Sequence, residues 1–178
     1  IKELIYMESK ICSILVLILI LQLFFINPVI SADVPRSFFV DTTNGQPQSI
    51  IVVGKNAASM DSISGSLIIT KIQAEAYYED PSKGLFRVNI WDREKLITYD
   101  ELLMEDVAKN NNLILVGGPV ANRLVANLVR EGKSKVDWYN SQGETEYISN
   151  GLYGRDVVIV AGADREKTRT AVLQLISS

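Results

Sequence analysis

Three apolar runs, each closed by glycine and followed by a stretch of helical period, restrict this chain to few folds. The runs are Ser49 to Gly54 (SIIVVG), Asn112 to Gly118 (NLILVGG) and Asp156 to Gly162 (DVVIVAG). They are continuous and rich in β-branched residues, the pattern of strands covered on both faces. The stretches behind them predict helices from about Ala57 to Ile72, Val120 to Arg130 and Asp164 to Ile176. Ile63, Leu67 and Ile68 share a face of the first helix, and Leu124, Val125, Leu128 and Val129 form the apolar stripe of the second. Repeated strand–glycine–helix units predict an α/β fold: a doubly wound, mainly parallel sheet with helices on both faces.

The segments between these units add a β-hairpin and edge strands to that expectation. Leu85 to Trp91 alternates and reads as a strand with one exposed face. Thr98 with Glu101 three residues on reads as a capping box, leading a short helix to about Lys109. Val136 to Tyr139 and Thr145 to Ile148 flank Ser141-Gln142-Gly143 as the arms of a hairpin, and Phe38-Phe39-Val40 adds an edge strand.

Residues 1–32 have a different grammar. Met7-Glu8-Ser9-Lys10 reads as a start, Ile11 to Ile26 is almost wholly apolar, Asn27-Pro28 breaks that run, and Val29 to Ala32 ends on a small residue. This is the three-part order of a secretory signal peptide, with cleavage expected before Asp33. A retained membrane anchor over residues 11–26 is the alternative, since about 20 apolar residues span a bilayer. The chain is therefore expected to divide into a signal peptide or anchor over 1–32 and one α/β domain over 33–178, a size that suits a single core.

Composition removes most chemistry from that domain. The sequence has 178 residues, no histidine, and one cysteine, Cys12, which lies inside the apolar leader. Ser-His-Asp, Cys-His and histidine-based metal sites are therefore excluded, and no disulfide can form after Ala32. The net charge of −3 is unchanged by removing residues 1–32, whose charges cancel. No basic concentration marks a nucleic-acid partner. Adjacent carboxylates at Asp92-Arg93-Glu94 and Glu105-Asp106 form no acid–base dyad, because neighbours on a helix point apart. No catalytic residue, metal site or cofactor is expected.

The glycines behind the strands, Gly54, Gly117, Gly118 and Gly162, are the candidates for a ligand cradle, with Arg123 and Arg165 as anion contacts near helix starts. Neither a dinucleotide nor a P-loop fingerprint is present. A purely structural role competes with that reading: Gly117-Gly118-Pro119 also suits a tight turn with proline pre-set for a helix.

The same segments carry a family resemblance. Ile51 to Asp61 (IVVGKNAASMD), Asn112 to Asn122 (NLILVGGPVAN) and Ala161 to Arg169 (AGADREKTR), with Tyr153-Gly154 before the last strand, resemble ordered elements of the archaeal S-layer protein family. The resemblance implies an exported structural or surface-associated protein without enzymatic activity. Its expected partners are other envelope or S-layer proteins, or further copies of itself. Family lattice proteins carry long segments between these elements, whereas here the segments are short, as in a minimal core domain, and no Asn-x-Ser/Thr sequon occurs. A second function stays open beside the structural one: an extracellular binding module for an anionic polymer or small anion at the strand ends.

Overall fold

The computed structural model describes residues 33–178 apart from Ala58, so the expected leader lies outside the described residues. A five-stranded sheet forms the centre, in the order β4-β1-β5-β7-β6. Its strands are β1 (Ser49–Val53), β4 (Ile97–Tyr99), β5 (Asn112–Val116), β6 (Glu144–Leu152) and β7 (Arg155–Ala161). β4, β1, β5 and β7 run parallel, and β6 alone is antiparallel, paired to β7. The three apolar runs are the three inner strands, and β1 is buried along its whole length. The residues of β5 and β7 that pair across the middle of the sheet, such as Ile114 with Val158, are fully buried.

Helices cover both faces, as the continuous runs require. α2 (Ser59–Glu75) and α5 (Arg165–Ser177) pack together on one face. A Cβ on Gly65 of α2 would meet Val53 Cγ2 at 2.9 Å, which shows how closely that helix lies on β1. α3 (Glu105–Asn110) takes the other face, where Val107 and Ile50 share a groove. α4 (Arg123–Arg130) buries Leu124, Val125 and Leu128, the stripe read from the sequence, with Val129 packed at its margin. Among the described residues no helix is long and apolar enough to cross a membrane.

Several local expectations are corrected. Phe38 and Phe39 belong to a short helix, α1 (Arg36–Phe39), and only Val40 makes a bridge, to Pro47. The Phe38 carbonyl accepts from Ser49 Oγ (2.5 Å) and Asn112 Nδ2 (3.0 Å), which seats α1 at the starts of β1 and β5, not along a sheet edge. The strand expected over Leu85 to Trp91 is β3 (Gly84–Arg87), which pairs with β2 (Tyr77–Asp80) in a separate two-stranded arm, where Tyr78 stacks on Phe86 at 5.5 Å. Thr98 caps no helix: it lies in β4, and α3 starts only at Glu105. The hairpin lies between β6 and β7, turning at Tyr153-Gly154, and Val136 to Tyr139 is irregular. Two non-glycine residues here have positive φ: Tyr153 (53°) in the turn, and Asn150 (52°) in β6 where its register with β7 shifts.

The face of α2 is also rotated from expectation. Ile63 is 53% exposed, while Asp61, Ser64, Gly65, Ile68, Lys71 and Ile72 are buried. Small residues let α2 approach the sheet, and Lys71 is neutralised in place by Glu75 at 2.9 Å. Pro119 does not open α4; the chain turns over Gly118 to Asn122 first, and α4 begins at Arg123.

Candidate functional site

The strand order reverses around β1: the chain leaves β1 for the outer strand β4, then crosses back to β5 on the other side. Open α/β sheets bind ligands in the crevice beyond the strand ends at such a reversal. The fold brings Gly54, Gly117, Gly118 and Arg123 to this place, since they follow β1, follow β5 and open α4. Gly162 and Arg165 lie one strand further along, between β7 and α5.

The crevice between β1 and β5 is filled by the protein's own polar groups. Asn122 is fully buried, and its Nδ2 donates to the carbonyls of Val52 (3.0 Å) and Val116 (3.2 Å), one on each strand. Its Oδ1 accepts from Leu124 N–H at 3.0 Å, so the same side chain caps α4. Asp100, 2% exposed, completes the plug from the β4 side. Its carboxylate accepts from Lys55 N–H and from Arg123 N–H, each at 2.8 Å, tying the loop behind β1 to the start of α4. The Arg123 guanidinium folds onto the Asp100 carbonyl, with Nε at 3.0 Å.

Gly54 sits beneath this plug. A Cβ there would lie 2.0 Å from the Ala121 carbonyl oxygen, so glycine is needed for the loop to close over β1. Gly117 has φ +95°, a conformation that favours glycine, and turns the chain out of β5. Lys55 and Glu101 pair at 2.5 Å on the surface above, and that hydrogen bond raises the Lys55 pKa above its ordinary value.

A separate cleft of about 390 Å³ opens between the ends of β5 and β7, bordered by Gly118, Pro119, Tyr139, Gly162 and Arg165. Gly118 faces it freely: a Cβ there would have only the Gly162 oxygen (3.7 Å) and Trp138 Cβ (4.0 Å) as near neighbours. A Cβ on Gly162, by contrast, would press on Lys167 Cβ at 2.4 Å. The α5 N-terminus is already occupied: the Asp164 carboxylate accepts from Lys167 N–H at 2.9 Å, and that bond is the main cause of its lowered pKa. Arg165 is exposed and lies 3.9 Å from Glu166. The cleft's floor is fixed by Trp138, which is buried and donates from Nε1 to Ser134 Oγ at 2.8 Å; Ser134 in turn donates to Glu146 at 2.5 Å. Val120, 76% exposed, stands at its rim.

Asp100 and Asn122 organise the reversal point, and neither is among the sequence-based site candidates. Asn122 carries a readable signal, an asparagine immediately before an apolar helical stripe. Asp100 carries none, because the groups it joins are 45 and 23 residues away in sequence.

Comparison with known proteins bears on the half of the chain that holds both residues. Residues 92–178 match the family described as "S-layer like family, outer domain". The chain is 51% identical over 69 residues to the S-layer protein of Methanocaldococcus jannaschii, an overlap of 39% of this chain and 12% of that protein. It is 45% identical over 67 residues to the S-layer protein of Methanothermococcus thermolithotrophicus (38% of this chain, 12% of that protein). The S-layer protein of Methanococcus voltae is 42% identical over 69 residues, again 39% and 12%. The chain thus spans about 12% of the length of the curated relatives it matches. The resemblance drawn from the motifs holds over the C-terminal region.

Proposed function

From a C-terminal half that carries the outer-domain segment of the S-layer like family, we propose that this chain is an exported structural domain of the archaeal cell surface. It acts by surface-to-surface association with other envelope proteins or with copies of itself, and no chemical step is assigned to it. The observation that carries this reading beyond the family match is the closed reversal point. Asn122 and Asp100 occupy the strand-end carbonyls and helix-start amides that a ligand site would use. Residues 1–32 deliver the domain, as a cleaved leader or as an anchor through residues 11–26.

Binding of an anionic polymer or small anion at Gly54, Gly117, Gly118 and Gly162 is the weaker reading. Asp164 already takes the start of α5, Asp61 is buried at the cleft wall, and Arg123 is engaged by Asp100. Fractionation of native envelopes tests the main proposal. The protein is expected with the surface layer, and N-terminal sequencing reads Asp33 if the leader is cut. A protein found only in the cytoplasm, or free and monomeric in the medium, overturns it.

A further inference from the structure

The two edges of the sheet are treated differently. β6 is shielded: its Gly151 carbonyl accepts from Lys133 Nζ at 2.9 Å, Glu146 takes Lys135 N–H at 2.7 Å, and the ladder is broken between Ile148 and Leu152. These are usual protections for a sheet edge. Among the described residues β4 at the other edge carries no bulge, and its protections are its three-residue length and the turn that takes the Tyr99 carbonyl. Clefts of about 360 and 400 Å³ flank it on the two sheet faces. Its surroundings expose Leu102 (63%), Met104 (63%) and Tyr99 (45%).

The direction of its free hydrogen-bonding groups can be read from its register. Thr98 is the partner of Val52, and Asp100 N–H donates to the Val53 carbonyl at 2.9 Å. Strand residues alternate, so Thr98 and Asp100 turn their amides to β1 while Ile97 and Tyr99 turn theirs outward. The Tyr99 carbonyl accepts from Leu102 N–H at 3.0 Å, closing a turn. Besides Ile97 N–H at the strand's start, Tyr99 N–H and the Ile97 carbonyl are left facing out, a donor and an acceptor two residues apart.

That pair is self-complementary. We propose that β4 is a homotypic docking edge, pairing antiparallel with β4 of a second copy of this chain across a two-fold axis through Thr98. Tyr99 N–H of each copy then donates to the Ile97 carbonyl of the other, with Thr98 against Thr98 as the central non-hydrogen-bonded pair. The charges flanking the strand agree with this symmetry. Lys95 precedes β4 and Glu101 follows it, and the two-fold brings Lys95 of one copy level with Glu101 of the other. Their present partners, Asp92 and Lys55, are exposed, and such pairs exchange at little cost. Leu102, Met104 and Tyr99 leave water in the same step. The contact is isologous and closes on itself, so an extended layer needs another contact besides it.

The inference rests on the structural reading and is tested separately from it. The full chain carrying Cys12→Ser and Thr98→Cys is purified, in mild detergent where the leader is retained, and oxidised gently. Non-hydrogen-bonded antiparallel partners have Cα atoms about 4.5 Å apart, within disulfide reach. A covalent dimer is expected to form at least about tenfold faster than for Thr170→Cys on exposed α5, and adding Lys95→Glu should remove that advantage through like charges. Lys95→Glu with Glu101→Lys should restore it. Hydrogen exchange on the Cys12→Ser chain gives a second readout that is independent of the Thr98 substitution: Tyr99 N–H protection should rise with protein concentration. Cross-linking no faster than the control, with flat Tyr99 protection, overturns the β4 interface. If the protein still sits in the surface layer under that result, the structural reading stands; if it is monomeric and absent from the layer, both fall.

Discussion

Replacing Asn122 tests whether the reversal point is a structural joint. In Asn122→Ala three buried partners are lost at once: the carbonyls of Val52 and Val116 lose a donor, and Leu124 N–H loses its cap. Loss of a cap costs about 1 kcal/mol, and each buried carbonyl that loses this donor about 1 kcal/mol, giving about 3 kcal/mol together. In a domain of this size that lowers Tm by roughly 6–12 °C. Asn122→Asp separates the roles, because it keeps the cap acceptor but turns carboxylate oxygen toward both carbonyls. Its carboxyl is then expected to have a folded pKa above the unfolded value of about 3.9. The folded state binds more protons between those two values, so stability falls as pH rises through that window. Asn122→Asp should be less stable than Asn122→Ala at pH 7 and should regain stability on acidification toward pH 4. Urea unfolding followed by far-UV circular dichroism, at constant m, measures all of this. An Asn122→Ala variant within about 0.5 kcal/mol of the parent would refute the joint, because so small a loss is below that of one buried hydrogen bond.

Gly54→Ala forces the Ala121 carbonyl away from a contact of 2.0 Å and should cost about 3 kcal/mol or more, while Gly118→Ala, with nothing nearer than 3.7 Å, should stay within about 1 kcal/mol. Thermal melts of the two variants decide it; equal losses would contradict the packing described. The Tyr147 hydroxyl donates to Asp156 at 2.5 Å, a bond that pushes the phenol up to about 12 and lowers the carboxyl. For Tyr147 the raised folded value means stability is intact below an unfolded value of about 10 and is lost as pH rises toward the folded one. For Asp156 the lowered folded value means its contribution is present above the unfolded pKa and lost as pH falls. Urea midpoints against pH should show both losses in the parent. In Tyr147→Phe the alkaline loss should shrink; an unchanged alkaline limb would refute the assignment.

The sequence made the inner sheet legible because its evidence is local. β1, β5 and β7 are each written as one unbroken apolar run, since each is buried by helices on both sides. Whatever depends on distant pairing was harder to read. Ile97-Thr98-Tyr99 becomes a strand only by lying beside Ile51 to Val53, so Thr98 with Glu101 mimicked a helix start. The β6–β7 turn carries a local signal in Tyr153-Gly154, but Gly143 offers a competing one nine residues before β6 ends. Gly143 has another duty: a Cβ there would lie 2.3 Å from the Lys167 carbonyl, so it admits α5 onto β6. The candidate site divides in the same way. Glycines after strands are visible in sequence, but whether they open onto a ligand or close against Ala121 is decided by a loop 67 residues later in the chain, at a distance no local pattern encodes.

Closing the reversal point also alters what the domain can transmit. A liganded α/β sheet keeps an open crevice and often a movable loop above it, whereas here Asn122 joins β1 to β5 and Asp100 joins the β4 end to α4. Buried, fully partnered polar groups of this kind rigidify their surroundings, because any displacement strands a donor or acceptor away from water. The joint lies at the carboxyl end of β4, the strand whose outer edge is unshielded. A load applied at that edge is therefore passed to β1 through the ladder and to α4 through Asp100, instead of being absorbed by a flexible turn. In the proposed surface-layer role that coupling would let a three-residue edge strand serve as the proposed contact without the local fraying that so short a strand would otherwise show.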